Sequence, residues 1–434
     1  MQIESTRSKQ AKYLSFISGI IVFLSLSILL NSVNRFFSHD EFEHIHSAWY
    51  IAQGHIPYVD FFQGHHPLLW YMLVPFIGLF GHTIAAIIIV RVFILLFTAG
   101  IVFLVYLIAK HAARSKEVAL LSVVFLLSMV MFVEKSIEIR PDVPQVFFGL
   151  LALFFFLVSL PPGPPRGQGL RPPRGQEVKG EAKPKIISNT KQRMSRGWGF
   201  GLSGFCAALS FLFLQKRIFL LAALGIIFVV KLIRKEISRT SVVLFGFSFS
   251  VPILLFAAYL MHAGAFPDYL LTNWRFHMNH VESFLPFRFL LNSFMQNPVY
   301  WVLSLWAVFI LLSGKSKNKE LKMIAGLSLF LFLTLFVVKH PYRQYFLLPI
   351  SLFGILAGYM TKFLFSRYKS LRKRKIRAIL IIILIPLIFL VPMTFHANHK
   401  QLKRIEYVLE NTGENDPVYD GDIQFNVFRP DLHY

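Results

Sequence analysis

Asn34–Tyr71 reads NRFFSHDEFEHIHSAWYIAQGHIPYVDFFQGHHPLLWY. It follows directly on an apolar run long enough to span a bilayer. Asp40, Glu41 and Glu43 fall within one helical turn, and six histidines are spread through the same stretch. Carboxylates kept at the mouth of a membrane span are costly beside lipid, so such a cluster marks a site rather than packing.

The chain around this stretch has 434 residues, 55% of them hydrophobic and 15% charged, with a mean hydropathy of +0.57. A soluble domain carries roughly 25% charged residues. Successive apolar runs near membrane thickness define a polytopic all-α membrane protein. The net charge of +23 would point to nucleic acid in a soluble chain. Here the excess lies in short loops between apolar runs, so it reports topology, and no nucleic-acid partner is expected. The single cysteine, Cys206, excludes an intrachain disulfide. The first run, Tyr13 to Asn31, is too long for a signal-peptide core and lacks a small-residue cleavage site, so it reads as a span.

Charge sorts the loops. Arg7, Lys9 and Lys12 precede the first span and place the N-terminus in the cytoplasm. Basic loops recur at Lys110–Lys116, Arg166–Arg196, Lys231–Arg239, Lys315–Lys319 and Lys362–Arg377. Acids and aromatics collect at Asn34–His82, Glu134–Val143, Gln215–Arg217, His262–Asn297 and Lys339–Gln344, the external set. Every basic loop falls inside only if Pro67–Phe80, roughly 14 residues and short for a span, stays in the outer leaflet. About eleven spans then remain, near 13–33, 84–109, 117–133, 144–160, 198–214, 218–233, 241–261, 298–313, 321–338, 345–361 and 378–395. Residues 1–395 form the polytopic transmembrane domain, with the external acidic loop at 34–82 and a disordered basic cytoplasmic loop at 161–197, where PPRGQ occurs twice. Residues 396–434 form a short external segment, helical at Gln401–Glu410 and strand-like at Pro417–Phe428, too small to fold alone.

Within the acidic loop, Ser38-His39-Asp40-Glu41 fits a capping box at a helix start. Phe42, Ile45, Trp49 and Ala52 then form one apolar stripe, with Asp40, Glu43, His44 and Ser47 opposite. The pattern predicts an interfacial helix, apolar side toward the membrane. A carboxylate held there can take a proton from an attacking hydroxyl, which makes Asp40 a candidate general base. Glu41 is either a second catalytic acid or a cap. The histidines offer metal ligands, but no H-E-x-x-H spacing occurs, and His44 and His46 splay by about 200° on a helix. No metal is assigned.

Asp40-Glu41, Ala48, Gly54-x-x-Pro57-Tyr58-x-Asp60 and His66-Pro67-Leu68-Leu69, placed after the first span, resemble the first external loop of GT-C glycosyltransferases. The likeness is strongest to the protein O-mannosyltransferase and lipid A aminoarabinose transferase group. Glu138, Arg140 and Asp142 in a short second external loop, Lys216 between two spans, and Arg343-x-Tyr345 leading into Leu347-Leu348-Pro349-Ile350 suit the same group. The resemblance implies a GT-C fold with interfacial helices in the first external loop. It implies inverting transfer of a sugar from a polyprenyl-phosphate donor to a hydroxyl on a lipid, glycan or protein, at the outer face of the plasma (inner) membrane. No cofactor is required, a divalent metal being the minor alternative. Asp40, with Glu41, would be catalytic. Lys216, Arg343, Arg217 and His66 would hold the donor phosphate, whose charge grows as it leaves. Glu43, Asp60, His65, Glu138, Arg140, Asp142 and Tyr345 would support the site or meet the acceptor. Members of the group often carry lysine before Pro-Pro-Leu; this chain has His65-His66-Pro67-Leu68, and a neutral imidazole is the weaker phosphate partner. A transporter or flippase of lipid-linked sugars is the alternative. It would show mid-membrane charges and internal repeats, and no repeat relates the halves of this chain.

Overall fold

The computed structural model describes residues 2–161, 190–215, 218–279, 286–314, 316, 318–337, 342–395, 397–420 and 424–431. The described residues are mostly helical and contain no strand. In chain order the helices are α1 (Gln2–Asn34), α2 (His39–Ala52), α3 (Leu68–Phe80), α4 (Ile84–Ala113), α5 (Lys116–Ser128), α6 (Val130–Lys135) and α7 (Asp142–Ser159). Then come α8 (Thr190–Phe213), α9 (Ile218–Ile233), α10 (Arg239–His262), α11 (Phe266–Leu270), α12 (Phe276–Asn279), α13 (Pro286–Gln296) and α14 (Pro298–Leu312). The last are α15 (Lys319–Thr334), α16 (Leu347–Arg367), α17 (Lys369–Lys373), α18 (Lys375–Met393) and α19 (His399–Asn411).

Each predicted span contains helix where described, but 117–133 is divided at Met129 between α5 and α6, and α15 ends at Thr334. Among the described residues six helices are long and apolar enough to cross a membrane: α1, α4, α7, α10, α18 and the helix leading through α16. α13 and α14 meet at a 104° bend. Outward faces carry Phe23, Phe103, Leu254 and Leu384 exposed, a surface suited to lipid rather than water. Inside, helices approach closely through small residues, as membrane bundles do. A Cβ added at Gly358 of α16 would lie 2.7 Å from the Ser122 amide nitrogen of α5, and one at Gly204 of α8 would collide with the Phe245 carbonyl of α10.

Residues of the basic loops gather at one end of the bundle. At that end Lys375 donates to Glu117 at 2.5 Å, Lys362 to the Ser115 hydroxyl at 2.6 Å, and Lys231 to Glu236 at 2.8 Å. Helices start there on side-chain caps: Ser115, Ser238 and Asn318 accept from the amides of Val118, Ser241 and Leu321. The acidic loop lies at the opposite end. α3 has both its termini there. His66, just before it, bonds the Phe211 carbonyl at the end of α8, while His82, just after it, accepts from Trp49 of α2. Its 13 residues rise about 20 Å, short of a roughly 30 Å hydrocarbon core.

Two expectations change. α2 is not seated apolar side down on lipid. Phe42, Ile45 and Trp49 are buried, and so are His44, His46 and Ser47, because α3 covers one side and the C-terminal segment another. The segment expected to be strand-like, Pro417–Phe428, forms turns and irregular backbone where described; its links to the chain include one hydrogen bond from Val418 to Pro430. Most of the repeat-bearing loop, residues 162–189, lies outside the described residues.

Candidate active site

Glu41 and Asp40 are neighbours with opposite surroundings. Glu41 is fully buried. Its Oε1 accepts from Arg91 Nε at 2.9 Å and the Ile139 amide at 3.0 Å; its Oε2 accepts from Arg91 Nη2 at 2.6 Å and the Ser38 amide at 2.8 Å. Glu41 reaches back to the Ser38 amide at the start of α2, as the expected capping box requires. Arg91 also donates to the carbonyls of Ser32, Arg35 and Phe36 and lies over the Phe37 ring. Glu41 therefore ties α1, α2, α4 and the second loop together. The expectation of a catalytic role for it is corrected: all its acceptor positions are taken inside the protein.

Asp40 keeps 39% of its side chain exposed. Arg140 donates to its Oδ2, and Arg140 Nε lies 3.6 Å from Asp142 Oδ2. Asp142 is buried with Oδ1 unbonded. The second loop thus meets the first, with arginine between two carboxylates. One ligand atom each from His39, Asp40 and Glu43 lies within 4.8 Å of the others, a set able to hold a divalent ion; the sequence pattern had pointed to none. Glu43 has its carboxyl pushed up by burial and drawn back by Gln63, His39 and His46. Glu138 is pushed up to about 7 by burial, against the pull of Lys135 at 2.7 Å.

Cations gather one step away. Glu134 is approached by Arg343 at 3.1 Å, Lys135 at 3.5 Å and Arg35 at 3.6 Å, three positive groups on one carboxylate. Arg343 sits in a short turn ahead of α16 whose Tyr345 is buried beside Tyr342. Arg35, Arg91, Lys135 and Glu134 were not anticipated. A lone arginine in the apolar run of α4 was the available signal for Arg91, since such a charge requires a partner.

His66 is corrected as a phosphate ligand. It is fully buried; Nδ1 donates to the Phe211 carbonyl at 2.9 Å and Nε2 accepts from the Tyr269 hydroxyl at 2.9 Å. Burial lowers it to about 4, so it stays neutral and pins α3 to α8 and α11. His65 contributes its carbonyl to the Tyr58 hydroxyl at 2.6 Å. Tyr58 holds φ +73, a conformation non-glycine residues seldom adopt. Asp60 turns back to accept from the Ile56 amide at 2.6 Å and stabilises its own loop. Lys216 and Arg217 lie outside the described residues.

A helical bundle whose first loop returns an acid-bearing helix to one end, against a second loop of acid and arginine, is a membrane protein of the GT-C glycosyltransferase fold. Two crystal structures of ArnT from Cupriavidus metallidurans carry the same fold: bound to undecaprenyl phosphate (12% identity, TM-score 0.66, 97% of this chain and 85% of that one) and apo (12%, 0.64, 98% and 86%). The apo oligosaccharyltransferase of Archaeoglobus fulgidus matches at 14% identity and TM-score 0.53, over 92% of this chain and 58% of that one. In sequence, residues 71–170 match the family described as dolichyl-phosphate-mannose-protein mannosyltransferase. That stretch holds Arg91, Glu138, Arg140 and Asp142 and begins after Asp40. No curated protein matches the chain in sequence. The fold implied by the resemblance read from the first loop is borne out.

Proposed function

We propose that this chain is an inverting glycosyltransferase that moves a sugar from a polyprenyl-phosphate donor to a hydroxyl acceptor at the outer face of the membrane. The observation that carries the reading is the contrast between two adjacent carboxylates. Glu41 is neutralised and walled in, while Asp40 is half open and aimed by Arg140. In one displacement the acceptor oxygen attacks the anomeric carbon, Asp40 takes its proton, and the lipid phosphate leaves with the electron pair. Arg343, in the cation-rich cluster around Glu134, and Lys216 neutralise that phosphate. An ion held by His39, Asp40 and Glu43 would supply positive charge to an acceptor oxygen; Arg140 on Asp40 works against such binding. Support for a lipid-linked donor comes from the fold shared with undecaprenyl-phosphate-bound ArnT and from the mannosyltransferase match.

The test is mass spectrometry of envelope glycans and glycolipids from a deletion strain, followed by complementation and transfer assays. Wild type should restore the lost species. Asp40→Asn should fold normally yet transfer at least about a hundredfold more slowly. Normal transfer by the purified variant would remove Asp40 from the reaction.

A further inference from the structure

The segment after α18 is woven into the mounting of α2. Asn398 donates to the Asn34 carbonyl at 2.8 Å through its amide and to Val33 at 2.7 Å through its side chain. Gln401 of α19 brackets Phe37, accepting from its amide at 2.8 Å and donating to its carbonyl at 3.1 Å. These contacts grip the linker that enters α2.

Residues 424–431 grip the helix itself. His46 is buried with each ring nitrogen 3.2 Å from an oxygen, Nδ1 facing the Val427 carbonyl and Nε2 facing Asp431. The Asp431 amide donates to the Tyr50 hydroxyl at 3.1 Å, and Asn426 donates to the other Asp431 oxygen. Phe428, fully buried, stacks on His82, which accepts from Trp49 at 3.2 Å. Arg429 locks the segment to α19: it donates to the Thr412 hydroxyl at 2.8 Å and to the carbonyls of Leu409 and Thr412. The grip is therefore a folded unit, not a trailing end.

Its place on α2 matters. His39, Glu43, His46 and Tyr50 are spaced by four, three and four residues, so they form one stripe. The stripe starts at the His39–Asp40–Glu43 set and ends under Asp431. We infer that the C-terminal segment is a clasp that sets the seat of α2 and so aims Asp40, with His46 and Asp431 as positioning residues. The inference rests on Asp40 as the base.

The test uses the full chain in detergent. Asp431→Ala should lower kcat by about tenfold to a hundredfold, as expected from misplacing a catalytic group by an ångström, and leave the apparent KM for the donor unchanged. Hydrogen exchange should quicken across 39–52 while α5 and α16 keep their protection. Asp431→Asn retains an oxygen for His46 and should recover most of both. If Asp431→Ala loosens the whole bundle, Phe428→Leu is compared in the same way, since it removes only the stacking on His82. Unchanged exchange over 39–52 once residues 424–431 have come loose would overturn the clasp. So would a loosened α2 with kcat intact. If Asp40→Asn is fully active, the base assignment fails, yet the exchange data still decide whether the segment seats α2.

Discussion

Replacing Glu41 by Gln tests the frame of the site without touching the reacting group. Each carboxylate oxygen takes one contact from Arg91 and one from a backbone amide. In the variant, whichever way the amide is turned, its NH2 confronts two donors. Two hydrogen bonds are lost and a buried guanidinium is left without its counter-charge. Breaking a buried pair in this way costs about 3–5 kcal/mol. A double variant with Arg91→Met should regain part of that, because the charge goes with its partner, though whichever of the Ser38 and Ile139 amides faces the NH2 stays unpaired. The assay is unfolding in detergent, by heat and by titration with a denaturing detergent, for both variants and for Asp40→Asn. Asp40 is far more open and its pair with Arg140 is part-solvated, so Asp40→Asn should cost less than about 1 kcal/mol. A Glu41→Gln protein within about 1 kcal/mol of wild type would refute the account of Glu41 as the structural half of the pair.

Lys216→Ala should weaken dependence on the donor strongly, with Lys216→Arg only a partial rescue because the fork geometry differs; unchanged donor affinity would leave Arg343 as the phosphate ligand. A cysteine at Gly81 should react with impermeant thiol reagents from outside and one at Lys116 should not, native Cys206 being buried; the reverse pattern would make α3 a span. His66 has its folded value depressed from 6.5 to about 4, so its contribution to stability is complete above pH 6.5 and is lost as pH falls toward 4. The loss should reach about 3 kcal/mol. His66→Asn, which keeps a donor near Phe211 and does not titrate, should flatten that acid slope, and an identical slope would show that another group governs it.

Much of the bundle was legible because apolar length and basic loops each report on one local requirement, satisfying the backbone in lipid and sorting charge across it. α3 is the clearest case: fourteen apolar residues read as too short, and the structure returns both its ends to one side. Asp40 and Arg140 were legible as types of residue in loops on the same side. What could not be read was which partner each polar group would meet. Glu41 looked as reactive as Asp40 until Arg91, fifty residues on, took its charge. His66 looked like a phosphate ligand until Phe211 and Tyr269 occupied both nitrogens. The C-terminal segment has weak periodicity because its order comes from α2 and not from its own pattern.

Arg91 also bears on how the chain is made. It lies two turns inside an apolar helix of 30 residues, and a lone arginine weighs against insertion by about 2.5–3.5 kcal/mol near the middle of a span. Glu41 leaves the ribosome before it. α4 can therefore enter the bilayer against a counter-charge already waiting at the surface, provided the first loop has folded back over α1 by then. Biogenesis of the second long apolar helix is in this way conditional on the acidic loop. Loss of Glu41 would appear first as a protein delayed at insertion and cleared by quality control, before any defect in chemistry was visible.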